Sequence, residues 1–230
     1  MCRTIPHTWI TSKKHDERML RFAGADLYLV TSEKMSVGRG TLEIVQAALA
    51  GGISLFQLRE KELTKSEFLK LAVEVKKQTD RTGAILLVND HLDVAMSIGA
   101  DGVHLGQNDM PVNEARELAP DLIIGASSHS VREAVKAQED GASYVNIGPI
   151  FATNTKEWTD DFLGVEAIKE ISSAITIPFT VMGGIKKRHI PELLAGGARI
   201  VALVTAVTAA EDPEQAARDL LSCWPKNRLD

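Results

Sequence analysis

Eight short, mostly aliphatic runs recur from Asp26 onward, each ending in polar or glycine residues, with stretches of helical periodicity between them. They are Leu27–Thr31, Ile53–Arg59, Ala84–Asn89, Gly102–Leu105, Leu122–Ser127, Tyr144–Gly148, Phe179–Gly183 and Ile200–Thr205. None alternates strictly between apolar and polar residues, so each reads as a strand buried on both faces, as parallel strands under helices are. Amphipathic segments between and after them include Leu42–Ala50, Ser66–Thr79, Val131–Glu139, Val165–Ser172 and Glu214–Ser222. Eight strand–helix units in about 200 residues predict an α/β chain: a single (β/α)8 TIM barrel, near the lower end of the usual size range. An open doubly wound sheet is the competing arrangement. Its GxGxxG phosphate loop after the first strand is missing, and Thr31-Ser32-Glu33-Lys34 stands there instead.

Local signals punctuate the same units. Thr64 with Glu67, Ser130 with Glu133, and Asp212 before Pro213 read as helix starts. Gly51-Gly52, Gly83, Gly99, Gly141 and Gly196-Gly197 read as helix ends just before the next strand. Four of these junctions echo one another, as a repeated unit would. The expected organisation is an N-terminal extension over residues 1–23, a barrel over 24–224 and a tail over 225–230. The extension is read as a short helix packed on the body or a partly ordered tail.

Composition narrows the function classes. Hydrophobic residues make up 44% of the chain but aromatics only 5%, so the core is expected to be aliphatic. A formal net charge of −5 gives no global positive field for a nucleic-acid backbone or an anionic membrane, so an anionic ligand must be held by a local site. No apolar run approaches the roughly 18 residues of a membrane span, and the first twenty residues lack the unbroken apolar stretch of a secretory signal. Cys2 and Cys223 stand alone at opposite ends, which points to a cytoplasmic chain without a disulfide framework. A homo-oligomer is left open.

In a barrel the C-terminal strand ends share one face, where ligands bind. Arg59 and Lys61 follow the second run, and Lys156 lies in the loop after the sixth. A guanidinium fork and two movable ammonium groups suit a polyphosphate, although Arg59-Glu60-Lys61 alone could be ordinary surface charge. Asp90 and Asp109 follow adjacent strands beside Asn89 and Gln107, an oxygen-only donor set suited to Mg2+. Capping of a following helix is the bland alternative. Gly183-Gly184, with Val204-Thr205 one strand later, matches a barrel phosphate loop, and a simple tight turn is its plain reading. His104, inside a strand, reads as a satisfied barrel histidine, and His129 as a proton carrier or an orienting group. Trp9, Trp158 and Trp224 read as loop packing, and Lys76-Lys77 and Lys186-Lys187-Arg188 as solvated faces or helix starts. No nucleophile setting and no strand lysine for a Schiff base is found, which favours electrostatic stabilisation of a leaving group.

Gln57-x-Arg59-x-Lys61, Asn89-Asp90, Asp101-Gly-Val-His-Leu-Gly-Gln107-x-Asp109, Ser127-x-His129, Gly148-Pro-Ile-Phe-x-Thr-x-Thr-Lys156 and Gly183-Gly-Ile185 occur in order. Together they resemble the thiamine-phosphate synthase family over about residues 27–221. The resemblance implies a (β/α)8 barrel transferase that joins hydroxymethylpyrimidine diphosphate to hydroxyethylthiazole phosphate, releasing pyrophosphate. It implies that Gln57, Arg59, Lys61, Asn89, Ser127 and Lys156 hold the pyrimidine diphosphate, with Arg59, Lys61 and Lys156 catalytic. Asp90 and Asp109 would bind Mg2+, and Thr153, Thr155, Gly184, Val204 and Thr205 the thiazole phosphate. The sequence departs from the family pattern at Glu157, Met182, Thr205 and Arg199-Ile200. The related thiazole tautomerases, and a non-catalytic barrel that binds thiazole or thiamine phosphate, are the alternatives.

Overall fold

The computed structural model of the chain describes residue 9, residues 11–153 and residues 162–225. Thr155, Lys156, Trp158 and the tail from residue 226 lie outside the described residues.

The eight expected strands are present as β1 (Leu27–Val30), β2 (Leu55–Leu58), β3 (Ile85–Asn89), β4 (Gly102–Leu105), β5 (Ile123–Ser128), β6 (Tyr144–Ile147), β7 (Phe179–Val181) and β8 (Ile200–Leu203). Each pairs in parallel with its neighbour, and β8 returns to β1 through Leu27 opposite Val201, closing the barrel. The helices are α1 (Lys13–Ala23), α2 (Thr41–Ala50), α3 (Lys65–Thr82), α4 (Leu92–Ser97), α5 (Val112–Leu118), α6 (Val131–Glu139), α7 (Glu166–Ser172), α8 (Ile190–Ala195), α9 (Thr205–Thr208) and α10 (Pro213–Leu221).

Strand periodicity sorts the core into two shells. Leu27, Leu29, Phe56, Leu58, Leu86 and Val88 face the helices in one aliphatic cluster. Tyr28, Val30, Leu55, Ile85, Leu87, Ile123, Tyr144 and Ile200 fill the barrel interior in another. The same period places Gln57 two residues above Leu55, Asn89 above Leu87, Ser127 two steps above Ile123 and Asn146 above Tyr144. The interior rows therefore change from apolar to polar as they rise to the strand ends.

Thr64 and Glu67 form a complete capping box on α3, and Gly83 ends that helix at φ 72, a left-handed position glycine occupies without steric penalty. At α6 only half of the expected box forms. Ser130 Oγ accepts from the Glu133 amide, but the Glu133 carboxylate turns to the backbone N–H and ring Nδ1 of His129.

Within residues 1–23, Ser12 caps α1 by accepting from the His15 amide. The helix lies across the N-terminal mouth of the barrel. Phe22 is buried in the interior cluster, its ring centroid 4.7 Å from that of Tyr144. Trp9 donates through Nε1 to the Glu139 carbonyl and Trp224 to that of Arg199, so both pack on loops as expected. No helix among the described residues is long and apolar enough to cross a membrane.

Candidate active site

The strand-end mouth opens on a cavity of about 210 Å3 lined by Gln57, Arg59, Lys61, Asn89, Asp90, Asp109, Ser127, Thr153, Gly184, Val204 and Thr205. Every sequence-predicted site residue that is described therefore faces one cavity, and Thr155 and Lys156 lie outside the described residues. Asn146, Met182 and Ile185, for which the sequence predicts no ligand role, line it too. Asn146 is held by the Thr180 hydroxyl at 2.7 Å and directs Nδ2 to Met182 Sδ at 2.7 Å. Its signal was the interior period continued upward from Tyr144.

The acidic pair is built by turn geometry. Asp90 follows β3 at φ 61, a left-handed position, with its N–H bonded to the His104 carbonyl at 2.9 Å. Asp109 follows β4 and accepts the Gly106 N–H at 2.7 Å, folding its loop back so that the two carboxyl groups meet. Burial raises the Asp109 pKa and the hydrogen bond to Asp90 raises it further. Burial also works to raise Asp90, but the Lys61 ammonium and the hydrogen bond from Asp109 outweigh it and hold Asp90 below the ordinary carboxylate range. Two carboxyl groups thus meet beside a lysine bonded to one of them. That is a place where positive charge is wanted, and the Lys61 ammonium supplies some of it.

This donor chemistry fits Mg2+. The oxygens are hard, and among the described residues no third His, Cys, Asp or Glu joins them in a metal-sized group. A protein contribution of two carboxylates, with the other positions left to water and ligand oxygens, is the pattern Mg2+ accepts. Lys61 is correspondingly not an isolated phosphate ligand; its side chain is 52% exposed and pairs with Asp90.

At the opposite wall, loops after β6 and β7 clasp each other: Ile150 N–H donates to the Met182 carbonyl at 2.9 Å and Phe151 N–H to that of Gly183 at 3.0 Å. Gly184 lies at φ 63, and a Cβ there would stand 2.2 Å from the Ala152 carbonyl oxygen. The close approach this glycine permits is thus first that of the neighbouring loop. Thr205 begins α9, whose four residues make a single turn. Individual backbone N–H groups, rather than a long helix dipole, are what this wall offers an anion.

His104 is fully enclosed, with Nδ1 at 2.8 Å from Tyr144 Oη and Nε2 at 3.0 Å from Ser127 Oγ. Burial pushes its pKa down to about 4, so it is neutral near neutral pH. His129 engages Glu133 at 2.9 Å, an orienting contact.

A closed parallel barrel with a cavity at the carboxyl ends of its strands, lined there by charged and polar side chains, defines the class: a (β/α)8 barrel enzyme. The chain belongs to the thiamine monophosphate synthase family, whose model matches residues 27–207, and is accordingly a transferase. It is 44% identical over 198 residues to a thiamine-phosphate synthase of Methanoculleus marisnigri, covering 86% of this chain and 94% of that one. The solved thiamine phosphate pyrophosphorylase from Pyrococcus furiosus matches with a TM-score of 0.80 at 35% identity, over 88% of this chain and 96% of that one. A 3-hexulose-6-phosphate synthase shares the fold alone, with a TM-score of 0.66 at 20% identity over 86% of this chain and 100% of that one.

Proposed function

We propose that this chain is a thiamine-phosphate synthase that condenses hydroxymethylpyrimidine diphosphate with hydroxyethylthiazole phosphate, giving thiamine phosphate and pyrophosphate. The observation that carries the reading is a cavity lined by Gln57, Arg59, Lys61, Asn89, Asp90, Asp109 and Ser127 on one side and by Thr153, Gly184, Val204 and Thr205 on the other. Two anionic substrates need two such walls.

Arg59 and Lys61, with Lys156, bind the diphosphate and absorb the charge that develops as it departs. Gln57, Asn89 and Ser127 orient the pyrimidine, and Thr153, Thr155 and the backbone at Gly184, Val204 and Thr205 hold the thiazole phosphate. Asp90 and Asp109 would hold Mg2+, which when bound supplies further positive charge to the diphosphate oxygens. The bond from the exocyclic methylene carbon to the diphosphate oxygen breaks, pyrophosphate takes the electron pair, and the thiazole nitrogen supplies the pair for the new carbon–nitrogen bond. No protein nucleophile is needed, consistent with a cavity lined, among the described residues, by neither cysteine nor a lysine of the strands. The cysteines, alone at the two ends of the sequence, support a cytoplasmic setting. A thiazole tautomerase would leave Gln57, Arg59, Lys61 and Asn89 without a task.

The test is incubation with both substrates and Mg2+. Pyrophosphate release that stops on chelation is expected; tight thiazole-phosphate binding without turnover would favour a tautomerase or a binding barrel.

A further inference from the structure

The sequence contains two tyrosines, and both lie inside the barrel. They join two residues of the cavity wall, Gln57 and Ser127, through an unbroken hydrogen-bonded chain. Gln57 Nε2 donates to Tyr28 Oη at 2.6 Å. Tyr28 Oη lies 2.9 Å from Tyr144 Oη. Tyr144 Oη lies 2.8 Å from His104 Nδ1, and His104 Nε2 lies 3.0 Å from Ser127 Oγ.

With the Gln57 amide nitrogen turned to Tyr28, the proton count along this chain runs one way. Tyr28 oxygen accepts from the Gln57 amide, so its own proton goes to Tyr144, its remaining partner. Tyr144 therefore accepts from Tyr28 and donates onward to His104 Nδ1. A neutral imidazole that accepts at Nδ1 carries its proton on Nε2 and donates it to Ser127. Ser127 Oγ thus spends a lone pair inward and keeps its hydroxyl proton for the cavity, which it lines. At the other end the Gln57 amide nitrogen is spent inward, leaving Oε1 as that side chain's acceptor for a ligand. Both tyrosine rings are sealed from solvent, so water does not reach the links between Tyr28, Tyr144 and His104.

We propose that Tyr28, Tyr144 and His104 are positioning residues that set opposite hydrogen-bond polarity at Gln57 and Ser127, an acceptor at one and a donor at the other. An aminopyrimidine edge, with an exocyclic amine donor beside a ring-nitrogen acceptor, matches that pair. The inference rests on the proposed function for the identity of this ring.

Two measurements test it on the full chain. Nitrogen-15 NMR of the wild-type protein at neutral pH is expected to find His104 as the Nε2–H tautomer; an Nδ1–H tautomer or an imidazolium would overturn the proposal whatever the variants do. The second compares the pyrimidine diphosphate with an analogue bearing hydrogen in place of the amine. The wild-type preference for the amine in kcat/KM should shrink about tenfold, one hydrogen bond's worth, in Tyr144→Phe and in Tyr28→Phe. KM for the thiazole phosphate should stay put. An unchanged preference in both variants would overturn the positioning role while leaving the synthase reading intact. A wild-type protein that converts neither pyrimidine diphosphate, yet shows the Nε2–H tautomer, would instead overturn the synthase reading and with it the aminopyrimidine assignment.

Discussion

Asp90 occupies φ 61, where asparagine and aspartate are the non-glycine residues that fit with least strain. Asp90→Asn keeps that backbone while removing the charge that Lys61 and Asp109 engage. Turnover is expected to fall at least about a hundredfold, the scale of a lost electrostatic contact to a leaving group, with the urea midpoint nearly unchanged; steady-state kinetics and equilibrium unfolding measure the two. Gly184→Ala should act on structure first. With φ 63 and a carbonyl oxygen 2.2 Å from the new Cβ, about 2 kcal/mol of stability should be lost in urea titrations, with a raised KM for the thiazole phosphate. The identities of the strand-end residues were legible because charge and glycine gather there. The steric partner of Gly184 was not, because it is the Ala152 carbonyl of another loop. Nor was the joint role of Tyr28 and Tyr144, which depends on two strands meeting across the barrel.

Among the elements, α1 carries what the sequence left as an extension. Arg18 donates to the Asp121 carbonyl at 2.6 Å and to the Ala100 carbonyl at 3.1 Å, and Arg21 pairs with Asp101. His15 Nε2 meets Ser143 Oγ at 2.9 Å, where Arg116 and the Ile124 amide also converge. Those two donors use the hydroxyl's acceptor capacity, so its proton goes to an unprotonated Nε2. Arg18→Ala should therefore cost about 3 kcal/mol of unfolding free energy by leaving buried carbonyls without donors. Burial, with Arg116 and Arg18 opposing a charged ring against the pull of Asp16, lowers the His15 pKa below its unfolded value of 6.5. Its contribution is complete above about pH 6.5 and is lost as pH falls through the lowered folded value. Hydrogen exchange should find the α1 amides less protected at pH 5 than at pH 7.5, and His15→Gln should flatten that difference. The partners of α1 are loop carbonyls from β3 to β6, which no local pattern in residues 1–23 reveals. The strands themselves were legible to within one to two residues at each end because parallel burial leaves continuous aliphatic runs.

At the scale of the molecule, the barrel reconciles a net charge of −5 with the anion site proposed at its strand-end mouth. Arg59 and Lys61 meet Asp90 and Asp109 at one mouth, whereas the opposite mouth is shut by Phe22 and the rest of α1. Barrel closure followed from counting eight strands, and the gathering of distant residues followed from closure; the two-shell core needed only period two. The direction of polar chains inside that core depends on which side chains meet across it, and no local pattern carries that. The most direct measurement is simultaneous quantification of thiamine phosphate and pyrophosphate from the purified protein given both phosphorylated substrates and Mg2+. Equal amounts of the two products, neither forming when one substrate is left out, are predicted. Rearrangement of the thiazole phosphate alone, or its binding with no pyrophosphate released, would contradict the account.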